Sequence, residues 1–126
     1  MPDANPISPE RGLVLVVEDD LSVQGALERF LGIHGFSVLT ASSADAALDI
    51  LREQRLTAAV VDLRLPQGSG REVVVSIPQP IPVIIFSGLP EESCDLESLR
   101  PRTRLVQKPY SLVLLVETLE QMLSQG

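Results

Sequence analysis

The sequence is short of several things, and each shortage excludes something. It holds a single cysteine, Cys94, so no disulfide can close within the chain. A reducing, cytoplasmic setting is the reading that fits. Lys and Arg number 10 against 17 Asp and Glu, a net charge of −7, and no basic cluster stands out. Direct binding to nucleic acid is not expected of such a chain. No apolar run approaches the roughly 20 residues that a membrane-spanning helix needs. The first residues also lack the apolar centre of a signal peptide, so no membrane association is expected. There is no internal repeat and no low-complexity tract.

What is present reads as one folded unit. The chain has 126 residues, of which 44% are hydrophobic, enough for one core. Met1 to Gly12 carries three prolines and mixed charge, and is expected to be a flexible lead or linker ahead of a domain over residues 13–126. Leu13–Val17 is an apolar, mostly β-branched run, which predicts a buried strand ending in Glu18-Asp19-Asp20. Val23, Leu27, Phe30 and Leu31 recur at helical spacing, with Gly32 and Gly35 to close the helix. Phe36–Thr40 predicts a second strand. Ser42 and Ser43 can cap a second helix whose core face is Ala44, Ala47, Leu48 and Leu51.

Ala58–Val61 is an uninterrupted apolar run that ends on Asp62, with Pro66, Gly68 and Gly70 as breakers behind it. A strand buried on both faces looks like this, and such strands belong to parallel sheets. A short third helix follows over Arg71–Ile77, stopped by Pro78, Pro80 and Pro82. Val83–Phe86 predicts a fourth strand, running into Ser87-Gly88. Pro90–Arg100 is acidic and weakly patterned, so a helix there should be short or irregular. Leu105–Gln107 predicts a fifth strand before Lys108-Pro109. Ser111 caps a last helix striped by Leu112, Leu115, Val116, Leu119, Met122 and Leu123.

Five alternations of strand and helix predict an α/β fold, a doubly wound parallel sheet with helices on both faces. In the order 2-1-3-4-5, the first and third strands are neighbours at the switch point. Glu18, Asp19 and Asp62 then share one crevice. Like charges gathered there call for a hard cation, and Mg²⁺ suits two carboxylates, a backbone carbonyl and retained waters. The other strand ends offer the Ser87 hydroxyl, the Gly88 amide and the Lys108 ammonium. Those groups could stabilise a phosphoryl group held on Asp62 as an acyl phosphate.

With those residues in place the chain resembles the receiver domain of two-component response regulators, over roughly Leu13 to Ser124. The residues that carry the likeness are Glu18 and Asp19 as the acid pair, Asp62 as phosphoacceptor, Ser87 as the hydroxyl and Lys108 before Pro109. The resemblance implies that Asp62 takes a phosphoryl group from the phosphohistidine of a sensor histidine kinase or phosphotransfer domain. It implies Mg²⁺ (or Mn²⁺) on Asp19, Asp62 and the backbone carbonyl of Arg64, with Glu18 acting through water. It also implies a cis bond between Lys108 and Pro109. No catalysis is implied beyond the domain's own phosphorylation and slow dephosphorylation, and the expected state is a monomer or weak homodimer.

The chain departs from the family pattern in places. Leu105 stands where an aromatic residue is common, so the switch pairing Ser87 with an inward-turning ring cannot run in its usual form. The third helix should lose about a turn. The Ser87–Glu92 stretch resembles receivers attached to hybrid kinases and some single-domain receivers. Arg64 and Leu89, two residues beyond Asp62 and Ser87, occupy positions that tune phosphoryl lifetime in the family. Val113 and Leu114 should face outward from the last helix, either as a partner surface or as harmless exposure. With no output domain expected after Gly126, the chain acts through partners or is a piece of a longer kinase.

Plainer readings compete. Asp20 is expected only to cap a helix, His34 only to sit at a helix end, and Cys94 to have no chemical role. An aspartyl phosphatase of the haloacid dehalogenase class needs an acid/base Asp two residues after its nucleophile, and Arg64 stands there. A receiver-like interaction module that is never phosphorylated is the alternative function.

Overall fold

The computed structural model describes residues 11–65, 68–87, 96, 100–107 and 111–124. Its elements run β1 (Leu13–Val17), α1 (Leu21–Ile33), β2 (Ser37–Ala41), α2 (Ala44–Glu53), β3 (Ala58–Asp62), α3 (Gly70–Ser76), β4 (Val83–Ser87), β5 (Thr103–Gln107) and α4 (Leu112–Ser124). The strands form one parallel sheet in the order β2-β1-β3-β4-β5. This is the predicted doubly wound architecture, with a third helix of only seven residues.

Side chains alternate across each strand, and the sheet separates two cores. Val14, Val16, Ala58, Val60, Ile84, Phe86 and Val106 pack with Leu27 and Leu31 of α1 and with Leu115, Val116, Leu119 and Met122 of α4. Leu15, Val17, Ala59, Val61, Val83 and Ile85 pack on the other face with Ala44 and Ala47 of α2 and with Val73 and Val74 of α3. All five residues of β3 are buried. A fully buried Val or Leu contributes about 1.5–3 kcal/mol, so this double layer anchors the ends of β1 and β3 firmly.

Helix boundaries follow from local hydrogen bonding. Asp20 caps α1 by accepting from the amides of Ser22 (3.0 Å) and Val23 (3.3 Å). At the other end, α1 runs through Gly32 and stops one residue later, at Ile33. Gly35, at φ +93°, donates to the carbonyl of Gly32, and the Phe36 amide donates back to Leu31 at 3.1 Å. That 6→1 and 5→2 pair is a Schellman stop. Phe36 thus closes the helix and is buried; β2 starts one residue later, at Ser37. Ser43 caps α2, Ser69 caps α3, and Ser111 accepts from the Leu114 amide at 3.1 Å. β5 begins at Thr103, two residues before the apolar Leu105, because Thr103 and Arg104 already pair with Val83 and Ile84 of β4.

Two features had no sequence signal. Arg11, placed by sequence in the lead, donates its amide to Gly35, lays its guanidinium over Phe36 at 4.8 Å and pairs with Glu120 of α4 at 2.7 Å. Arg100 is 3% exposed. Its guanidinium donates to the carbonyls of Ile77, Pro78 (2.9 Å), Ile81 (2.6 Å) and Pro101, and to the Thr103 hydroxyl. Burial, with the charge of Arg102 added, pushes that guanidinium below its ordinary range. Of the segment predicted to hold a short or irregular helix, the described residues are Leu96, which is buried, and Arg100, whose amide donates to the Leu96 carbonyl at 3.0 Å.

Candidate metal and phosphoacceptor site

The site lies at the carboxyl ends of β1 and β3, adjacent strands with Val17 opposite Val61. The sheet order reverses there, which opens a crevice beyond the strand ends. Glu18 follows β1 directly. Its amide donates to the Ala41 carbonyl at 3.0 Å, and its carbonyl accepts from the Gln24 side chain at 2.9 Å. Gln24 also reaches the Ser42 hydroxyl at 3.1 Å, so the first turn of α1 fastens the β1 end to the β2 end. Glu18 and Asp62 are each only 2% exposed.

Glu18, Asp19 and Asp62 each bring a carboxylate oxygen within 4.8 Å of the other two. Asp19 is exposed and the other two are buried. Two buried like charges at that separation repel by about 3 kcal/mol at an effective dielectric near 20. An all-oxygen donor set with one open side fits a hard divalent ion that keeps some of its water, as Mg²⁺ does. Among the described residues this is the one cluster of acidic, His or Cys side chains close enough to hold a metal.

The turn after β3 fixes the geometry of Asp62. Its Oδ1 accepts from the Arg64 amide at 2.9 Å, an Asx turn that sets the carboxylate against the backbone of residues 62–64. The Leu63 amide donates to Phe86 at 3.4 Å, continuing the β3–β4 ladder by one bond. The Gly70 amide, at the start of α3, donates to the Leu63 carbonyl at 3.3 Å.

The predicted residues divide as follows. Glu18, Asp19 and Asp62 come together, and of Arg64 it is the amide that bonds to Asp62. Ser87 ends β4, one residue past the Phe86 that faces Asp62. Gly88, Leu89, Lys108 and Pro109 lie outside the described residues, so the predicted cis bond does too; the described cis bond joins Gln79 to Pro80. Leu105 packs partly buried against the α2–α3 core. Val113 and Leu114 are 56% and 49% exposed at the start of α4. Sequence reasoning missed Gln24, whose helical position gave no sign of its reach, and read Gly70 only as a breaker.

A family model for the response regulator receiver domain matches residues 14–120. The chain belongs to that family. Receiver domains act in two-component signalling, and the acidic cluster stands where β1 and β3 end. The chain is 31% identical over 113 residues to response regulator RR06 of Streptococcus pneumoniae, spanning 87% of this chain and 52% of the relative. It is 37% identical over 78 residues to a protein-glutamate methylesterase/protein-glutamine glutaminase of Anaeromyxobacter dehalogenans, covering 60% of this chain and 22% of that one. The receiver domain thus spans about half the length of these curated relatives or less.

Solved structures agree on the fold. A CheY-like receiver domain from Methanospirillum hungatei superposes with a TM-score of 0.79 at 22% identity, over 90% of this chain and 94% of that one. The receiver domain of NtrX from Brucella abortus gives 0.78 at 24% identity, over 90% and 99%. At such identities the likeness concerns architecture. Among the described residues no helix is long and apolar enough to cross a membrane.

Proposed function

We propose that this receiver domain is a phosphoacceptor, with Asp62 the residue that carries the phosphoryl group. The observation behind it is the meeting of Glu18, Asp19 and Asp62 within 4.8 Å at the switch point of the sheet. The donor is the phosphohistidine of a sensor histidine kinase or phosphotransfer domain. An Asp62 oxygen bonds to phosphorus as the P–N bond breaks, and the released imidazole nitrogen takes up a proton. The Asx turn from the Arg64 amide holds the Asp62 carboxylate against the backbone of residues 62–64.

Asp19, Asp62 and the Arg64 carbonyl would hold Mg²⁺ (or Mn²⁺), with Glu18 acting through water. The ion, when bound, supplies positive charge that offsets both the gathered acids and the phosphoryl oxygens. Ser87, Gly88 and Lys108 are the partners proposed for the remaining phosphoryl oxygens, and Arg64 and Leu89 the residues that set its lifetime. The output is a conformational change read by a protein partner in the cytoplasm, without Leu105 supplying a ring. Val113 and Leu114 are the proposed partner surface.

Wild-type protein given Mg²⁺ and acetyl phosphate should gain the mass of one phosphoryl group, and Asp62→Asn should gain none. No adduct on the wild type, with beryllofluoride also failing to bind, would leave the receiver-like interaction module as the function. An adduct that persists in Asp62→Asn would move the nucleophile elsewhere.

A further inference from the structure

We infer that Gly70 is a positioning residue for the phosphoacceptor turn, an inference that rests on the reading of Asp62 just given. A Cβ placed on Gly70 would lie 2.1 Å from the Asp62 carbonyl oxygen, 2.7 Å from the Leu63 Cα and 2.9 Å from the Asp62 carbonyl carbon. All three atoms are backbone, so no side chain can rotate away to admit it. Ordinary carbon contacts begin near 3.5 Å, so any substitution must move the backbone by about an ångström. The conformation of Gly70 is not the reason for the glycine, since its φ lies outside the left-handed region; the reason is the close approach.

That approach sets what Asp62 can do. The first turn of α3 rests directly on the backbone that carries the carboxylate, and the Gly70 amide ties down Leu63 at 3.3 Å. Leu63 is the residue between Asp62 and Arg64. Its position therefore fixes both the Asx bond from the Arg64 amide to Asp62 Oδ1 and the direction of the Arg64 carbonyl. Two of the proposed oxygen ligands thus share one short turn, and Gly70 is the residue behind it. Displacing a reacting group by about 1 Å can cost on the order of 10²-fold in rate.

The test compares Gly70→Ala with Gly12→Ala in the full chain. Gly12 lies at the amino end of β1, and its substituted Cβ would meet the Thr57 side chain at 2.0 Å with φ at +105°. That variant is strained and remote from the site, so it controls for lost stability. Rates are scaled to the folded fraction. Gly70→Ala should weaken Mg²⁺ binding and slow acetyl phosphate labelling by about 10-fold or more, and Gly12→Ala should change neither. In metal-free protein, the Arg64 amide should lose hydrogen-exchange protection in Gly70→Ala alone. Equal behaviour of the two variants in all three measurements would overturn the inference.

Should Gly70→Ala fail to fold, Ser69→Ala loosens the first turn of α3 without adding an atom, because Ser69 caps the Arg71 amide at 3.1 Å. Its Mg²⁺ affinity should then fall a few-fold, and unchanged affinity would equally overturn the inference. If the wild type itself forms no adduct, the phosphoacceptor reading fails, while Mg²⁺ titration and amide exchange still report on Gly70.

Discussion

Glu18, Asp19 and Asp20 are consecutive acids with separate roles. Asp20 turns back to cap α1, whereas Glu18 and Asp19 reach the Asp62 crevice. Asp20→Ala should lower unfolding free energy by about 1 kcal/mol in a urea titration and leave Mg²⁺ affinity unchanged. Asp19→Asn should do the reverse, lowering affinity with little effect on stability. The division was legible because a strand end followed by a helix start assigns one acid to the cap and the others to the rim. Arg100 was not legible. Its described partners are mostly backbone carbonyls, and carbonyls leave no mark in a sequence.

Among the elements, α3 and α4 show what sets the tolerance of each surface. The short α3 ends at Ser76, and the carbonyls beyond it are taken by Arg100, with Arg102 donating to Pro80 at 3.1 Å. Arg100→Met should therefore cost about 3 kcal/mol or more, because several buried acceptors lose their donors at once. Arg100→Lys should recover only part, since an ammonium has three donors to the guanidinium's five. Urea midpoints read both. On α4, Leu115→Ala should cost about 2–5 kcal/mol, whereas Val113→Ser and Leu114→Ser should stay within about 0.5 kcal/mol. The helical stripe that separates these positions was plain from spacing alone. The end of α1 was legible from Gly32 and Gly35, and of the two it is Gly35 that enters the left-handed region and makes the stop.

For the molecule as a whole, the proposed Mg²⁺ site at the three-acid crevice of a chain with net charge −7 predicts that divalent cations stabilise the fold. Mg²⁺ at about 100 times its dissociation constant should add about 2.7 kcal/mol. The melting temperature should rise on adding Mg²⁺ and return with a chelator, and Asp62→Asn or Asp19→Asn should shrink the gain. A different consequence follows from every described strand pair being parallel. β1 sits between β2 and β3, and its second neighbour lies far along the chain. At about 5–20 residues per second, a ribosome needs several seconds to deliver β3 after β1. During that interval Leu13–Val17 has one edge of unpaired N–H and C=O groups, so a nascent chain stalled before Ala58 presents a sticky edge to chaperones or to its neighbours on the polysome.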